Sequence, residues 1–278
     1  MIRFGPAGLG GVKEAISNLE LYHKLGLKAC EIAFTYGAYI KESQKKEIEE
    51  IRKTAEKFDI KLSIHAHYWI NLNSAEKKKI EESKKRILQC CRVGELLGAY
   101  AVVFHAGYYS KHKVTKGIPK YTEKNTDDNW KEESFQNIKR EILELMGEIK
   151  KNKWKIKLAP ETTGKNSVFG DQDEILRLSS ETGCFFCTDF SHLLARSNGK
   201  AEYKEMVKKL VDFKELHCHF SGIEYNEKGE RRHLITPIEE LRKLLAVIPK
   251  NKEIVIINES PQPVEDSEKM LKTWEKLS

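Results

Sequence analysis

Short apolar runs alternate along this chain with longer stretches in which apolar residues recur every three or four positions. That switching of period predicts strand followed by helix, over and over. Strands are expected at Ile2–Gly5, Ala29–Phe34, a run ending at His65, Tyr100–Phe104, and runs leading to Glu161, Asp189, His217 and Glu259. Helices are expected over about Val12–Leu25, Lys41–Phe58, Ser74–Leu97, Trp130–Lys150, Gln172–Ser180, Ala201–Val211, a segment from Pro237 to Val247, and Val264–Leu277. Two stretches break the rhythm: a polar insertion over Gly107–Asp128, and a loop rich in Gly, Asn and charge over Gly222–His233. Strand-then-helix repetition implies a parallel sheet covered by helices. A doubly wound open sheet can be drawn through the same segments, but eight units favour an α/β fold of the (β/α)8 TIM-barrel type. A single domain over residues 1–278 is expected, and at 278 residues the chain suits the roughly 250 such a barrel needs.

The ends of the predicted strands carry the candidate chemistry. His65, His105, Glu161, Asp189, His217 and Glu259 each follow a short β-like run. A parallel barrel aims all its strand ends at one place, so these residues converge on one polynuclear metal centre. Burying so much charge there is costly unless a metal or partner compensates it. His192, three residues after Asp189, and His233, at the end of the charged loop, strengthen the set. Three histidines with three carboxylates suit zinc best, with manganese or iron as runners-up. His67 and His219 sit beside proposed ligands, as supporting residues or spare ligands.

Composition changes this picture little. The net charge of +7 permits a polyanionic partner, but the Lys runs sit inside helix-like patterns, which favours solvated outer helix faces as its explanation. No apolar run approaches the ~20 residues that span a bilayer. The start of the chain has no signal-peptide pattern, so a soluble, cytoplasmic protein is expected. Among the six cysteines, Cys184 and Cys187 form a C-x-x-C that reads as part of a buried strand rather than as a redox or metal half-site.

Several segments together resemble the endonuclease IV family. They are Ser63–Leu72, Val103–Gly107, Pro160–Gly164, Cys187–His192, Leu216–Phe220 and Asn258–Pro261, collinear over nearly the whole chain from Gly8-Leu9-Gly10-Gly11 to Glu259. The resemblance implies a TIM barrel with two to three zinc ions that cleaves double-stranded DNA 5′ to abasic sites, with hydroxide generated by the metals as nucleophile. By motif, His65, His105 and Glu161 would hold the first ion. Glu161, the catalytic candidate, would bridge to a second held by Asp189, His217 and Glu259. His192 and His233 would hold the third. The family's remaining third-site ligand is an Asp two residues before the final His; that position is Arg231 here, and Glu230 substitutes only if the loop backbone shifts. Tyr68 aligns with a family position that inserts into the duplex, although Tyr68 and Trp69 capping the barrel rim is an equal reading. Where the family often has an Arg wedge, this chain offers Tyr36 and Tyr39.

A monomer associated with the nucleoid is the expected form. The competing function is a sugar or sugar-phosphate isomerase on the same barrel, in which a metal polarises a carbonyl. A metal-dependent DNA-binding module without catalysis is a third, and it does not explain the convergence at strand ends.

Overall fold

The computed structural model describes residues 1–33, 44–109 and 129–277. The expectations for Tyr36, Tyr39, the start of the second helix and most of the polar insertion lie outside them. Among the described residues, two four-stranded parallel sheets run β1-β10-β7-β6 and β2-β3-β4-β5. The strands are β1 (Ile2–Pro6), β2 (Ala29–Ala33), β3 (Lys61–His65), β4 (Ala101–Phe104), β5 (Lys157–Pro160), β6 (Cys187–Asp189), β7 (Glu215–His219) and β10 (Glu253–Asn258). Parallel bridges Ala7–Glu31 and Glu161–Cys187 close both seams, giving an eight-stranded barrel.

Helices α1 (Val12–Lys24), α2 (Lys45–Phe58), α3 (Lys77–Leu97), α4 (Asn129–Lys151), α5 (Gln172–Thr182), α6 (Phe190–Arg196), α7 (Tyr203–Lys208), α8 (Ile238–Val247) and α9 (Pro263–Leu277) connect the strands. Each hides one stripe, as α2 does with Ile48, Ile51 and Ala55. At the start of α5, Asp171 accepts from the Glu174 amide while the Glu174 carboxylate answers the Asp171 amide, a reciprocal cap.

Strand alternation sorts the core into two populations. Leu62, Ile64, Val102, Phe104, Leu216, Cys218, Ile254 and Ile256 face the helices in the main apolar cluster. Their neighbours turn inward: Ala101, Val103, Ala159 and Cys187 pack together, as do Ala29, Val255 and Ile257, with Tyr100 against both groups. The next inward residues toward the C-terminal mouth are the polar ones. All six cysteines are buried and free, as a core reading of the C-x-x-C requires. No described helix is long and apolar enough to cross a membrane.

The structure corrects three expectations. β7 runs two residues past His217, to His219. The segment read as a loop over Gly222–His233 contains an antiparallel hairpin, β8 (Gly222–Asn226) with β9 (Gly229–Leu234). Asp189 also opens a helix of its own, α6, accepting from the amide of its third residue, His192; Phe190, Leu193 and Leu194 recur at helical spacing, but over only seven residues that follow directly on the strand.

Candidate metal centre

Glu161 sits at the middle of the barrel mouth with no solvent exposure. Its Oε2 lies 3.1 Å from His65 Nε2 and 3.0 Å from His105 Nε2. The other oxygen, Oε1, lies 3.0 Å from His219 Nδ1 and 3.3 Å from His192 Nδ1. With His192 Nδ1 turned to the Thr162 carbonyl at 2.9 Å, His65 and His105 face one oxygen and His219 the other, which is the geometry of a bridge.

Donor atoms gather around it in overlapping groups, each within 4.8 Å: His65, His105 and Glu161; Glu161, Asp189, His219 and Glu259; Asp189, His192, His233 and Glu259. His65, His105, Glu161, Asp189, His192, His233 and Glu259 thus meet where the sequence placed them. His217 does not join Glu161, Asp189 and Glu259, and this corrects the ligand expected on β7. Both His217 and His219 point inward, two residues apart, and register decides between them. His219 is level with Asp189 and Ile257 at the mouth, whereas His217 is level with Cys187 and Val255 one layer deeper.

His217 instead belongs to a buried support. Tyr100 donates its hydroxyl hydrogen to His217 Nδ1, and His217 Nε2 donates to Glu31 Oε2 at 3.0 Å. Ser63 donates to the same Glu31 oxygen at 2.8 Å, and Glu31 Oε1 lies 3.0 Å from His219 Nε2. Burial lowers the basicity of His217 and raises the Tyr100 pKa, so both stay neutral and act as a fixed donor chain. Burial would raise Glu31 too, but the His219 and His217 imidazoles hold it well below the usual carboxylate range. Glu31 went unnoticed in the sequence because it lies inside an apolar run, Ala29-Cys30-Glu31-Ile32-Ala33. The available signal was its inward phase on β2.

Hydrogen bonding shows that these donors fit cations. His65 Nδ1 donates to the Ala66 carbonyl at 2.8 Å, so in neutral His65 a lone pair on Nε2 faces a carboxylate oxygen. Two acceptors that close repel unless a proton or a metal ion lies between them. The proton affinity of His65 shows this: burial opposes protonation, yet Glu161 raises its pKa to about 9. Asp189 Oδ1 accepts from the His192 amide at 2.7 Å, leaving Oδ2 buried with no hydrogen-bond partner. The buried Nε2 atoms of His105 and His219 face carboxylate oxygens, Glu161 Oε2 and Glu31 Oε1, each at 3.0 Å but outside hydrogen-bonding geometry. Burial and the neighbouring Glu161 and Glu259 raise the Asp189 pKa, against the pull of His192 and His233. Glu259 is held down to about 2: burial opposes this, but His219 dominates. A nitrogen and oxygen donor set of this kind suits zinc or another borderline divalent ion.

Tyr68 and Trp69 stand on the rim, 70% and 75% exposed, with the Tyr68 ring 6.3 Å from that of His65. Beneath Tyr68 a small cavity of about 30 Å³ opens among Glu31, His65 and Glu259. The larger surface grooves lie elsewhere, against α3 and α4 and around Phe185 and Phe213.

Known proteins agree with this architecture. The chain is 36% identical over 251 residues to an uncharacterized protein of Methanocaldococcus jannaschii, covering 86% of this chain and 83% of that one. A probable endonuclease 4 of Mycobacterium leprae is 29% identical over 174 residues, 61% of this chain and 60% of the relative. Among solved structures, endonuclease IV from Thermus thermophilus superposes with a TM-score of 0.67 at 17% identity, covering 99% of this chain and 97% of that one. A D-tagatose 3-epimerase-like protein superposes at 0.64 and 20% identity with the same coverages. At such identities the superpositions speak for the fold alone. The sequence profile of the xylose isomerase-like TIM barrels matches residues 19–274, and the chain belongs to that family.

Proposed function

We propose that this protein is a metal-dependent DNA repair endonuclease that hydrolyses the phosphodiester 5′ to an abasic site, working as a monomer on double-stranded DNA in the cytoplasm, near the nucleoid. The observation that carries the reading is the two-sided Glu161, with histidines on each oxygen and Asp189 and Glu259 beside it. Ions held there supply Lewis acidity, which makes a water acidic and neutralises charge on phosphoryl oxygens.

The chain's own residues perform the rest. Glu161 holds the two donor groups at a fixed spacing and orients the attacking oxygen. Glu31 and Ser63 brace the His219 side from below. A sugar reaches a barrel mouth only if its nucleotide leaves the duplex, and the gap needs a flat side chain to fill it. Tyr68 and Trp69 are exposed beside His65 and meet that need. Lys228, Arg231 and Arg232 on the hairpin are exposed and suit phosphate contact, which makes binding salt-sensitive.

The isomerase reading draws on the epimerase-like barrels of the same fold. Such chemistry employs one or two metals and gives His105, His192 and His233 no work, although all three crowd this centre.

The test is a duplex carrying one tetrahydrofuran abasic analogue, incubated with and without chelator. A nick immediately 5′ to the analogue, abolished by chelation and restored by zinc or manganese, is expected. An intact duplex under all metal conditions, with turnover of a keto-sugar instead, would overturn the nuclease reading. The analogue lacks the aldehyde that β-elimination needs, so a lyase cannot give a false positive.

A further inference from the structure

The hairpin resolves the position at which this chain departs from the endonuclease IV pattern. In a regular antiparallel pair, residues two apart share a face, so Arg231 would lie on the His233 side and Glu230 on the other. The register is not regular: Glu224 pairs with Arg232, but Tyr225 pairs with Glu230. Arg231 is the extra residue of a β-bulge, and a bulge re-aims the side chains around it. Arg231 and Arg232 accordingly both reach Glu224 on the outer face, at 3.0 and 2.6 Å. Glu230 turns inward, with Oε2 3.5 Å from His192 Nε2.

Packing at Gly164 holds this arrangement. The Glu230 amide donates to the Gly164 carbonyl at 3.0 Å. A Cβ at Gly164 would stand 2.5 Å from Glu230 Cβ, and one at Gly229 would stand 2.1 Å from the Gly164 oxygen. Gly229 also has φ +97°, which favours glycine. Neither position tolerates a side chain while Glu230 stays where it is.

The facing imidazoles have their tautomers fixed. His192 Nδ1 donates to the Thr162 carbonyl at 2.9 Å, leaving the Nε2 lone pair toward Glu230. Ser221 directs its hydroxyl hydrogen to the Gly222 carbonyl, so His233 Nδ1 donates to Ser221 Oγ at 2.7 Å and His233 Nε2 is left as an acceptor. The His192 and His233 rings lie 5.2 Å apart, and the buried Oδ2 of Asp189, without a hydrogen-bond partner, is 3.4 Å from His192 Nδ1.

We propose that Glu230, brought inward by the bulge at Arg231, joins His192 and His233 in holding a divalent cation, so that this chain completes the site with a residue the family pattern does not use. The inference rests on the metal-centre reading above but not on the reaction assigned to it. Two imidazole nitrogens and one carboxylate oxygen make a three-ligand site of the kind zinc accepts with one position open.

The experiment measures zinc per chain in full-length protein reconstituted with zinc and dialysed, comparing wild type, Glu230→Gln, Glu230→Ala and Arg231→Ala. Circular dichroism and thermal melts accompany each variant to confirm folding. Both Glu230 variants are expected to retain about one equivalent fewer than wild type, and Arg231→Ala the full complement. Full zinc content in the Glu230 variants overturns the proposal. So does an equal loss in Arg231→Ala, because the hairpin's shape rather than the Glu230 carboxylate would then hold the ion. No DNA is present, so a failed incision assay and a failed stoichiometry test are separate results.

Discussion

Replacing Glu161 by Gln is expected to lower incision of an abasic-site duplex by at least about 10²–10³-fold, the scale of removing a preorganised charge-stabilising group. Duplex affinity is expected to change by less than about tenfold, since phosphate contacts supply most of it. The reason lies in how both oxygens are used. Oε2 faces His65 and His105, and Oε1 faces His219. An amide keeps one oxygen, turns the other into a donor and loses the charge that lets cations sit close together. Single-turnover cleavage and fluorescence anisotropy with the same duplex separate the two effects. Wild-type cleavage by the variant contradicts the bridging role.

His219 and His217 are expected to respond in opposite ways. His219→Ala removes a nitrogen facing Glu161 and Glu259, and is expected to cost about one equivalent of bound metal and at least about 10²-fold in incision, again on the scale of a lost charge-stabilising group. His217→Ala leaves the mouth intact but opens a cavity between Tyr100 and Glu31, both buried partners of its ring. Its expected cost is about 2–4 kcal/mol of unfolding free energy, from lost packing, a Tyr100 hydroxyl left unpaired and the loss of one of the two donors to Glu31 Oε2, with metal content unchanged. Metal analysis and urea unfolding in chelator read the two outcomes. Metal loss in His217→Ala with retention in His219→Ala reverses the assignment made from the strand register.

The contrast shows what a sequence of this kind discloses. Period-two alternation made the barrel and most of its inward residues legible, because each strand end is a short apolar run followed by one chemically distinctive side chain. His65, His105, Asp189 and Glu259 were found that way. Alternation alone cannot choose between inward residues two apart, and at His217 and His219 the choice depends on how far β7 extends beside β6 and β10. Glu31 was hidden by its apolar neighbours, although a carboxylate at an inward position of a buried strand is itself a signal. The bulge at Arg231 was not legible at all. It arises from docking of the hairpin on Gly164, a contact between segments some 65 residues apart in the chain (164 to 229). Local patterns fix the elements, while contacts between distant loops fix which atoms face the site.

X-ray absorption at the zinc edge of the reconstituted protein tests the shared centre most directly. Only nitrogen and oxygen neighbours at about 2.0–2.2 Å are expected, with a second metal at about 3.5–4 Å. Cys187, His217 and His219 also come within ligand distance of one another one layer down, so the alternative has a definite signature. A sulfur neighbour at about 2.3 Å, with no metal–metal contribution, would place the ion in that deeper layer and contradict a centre bridged by Glu161.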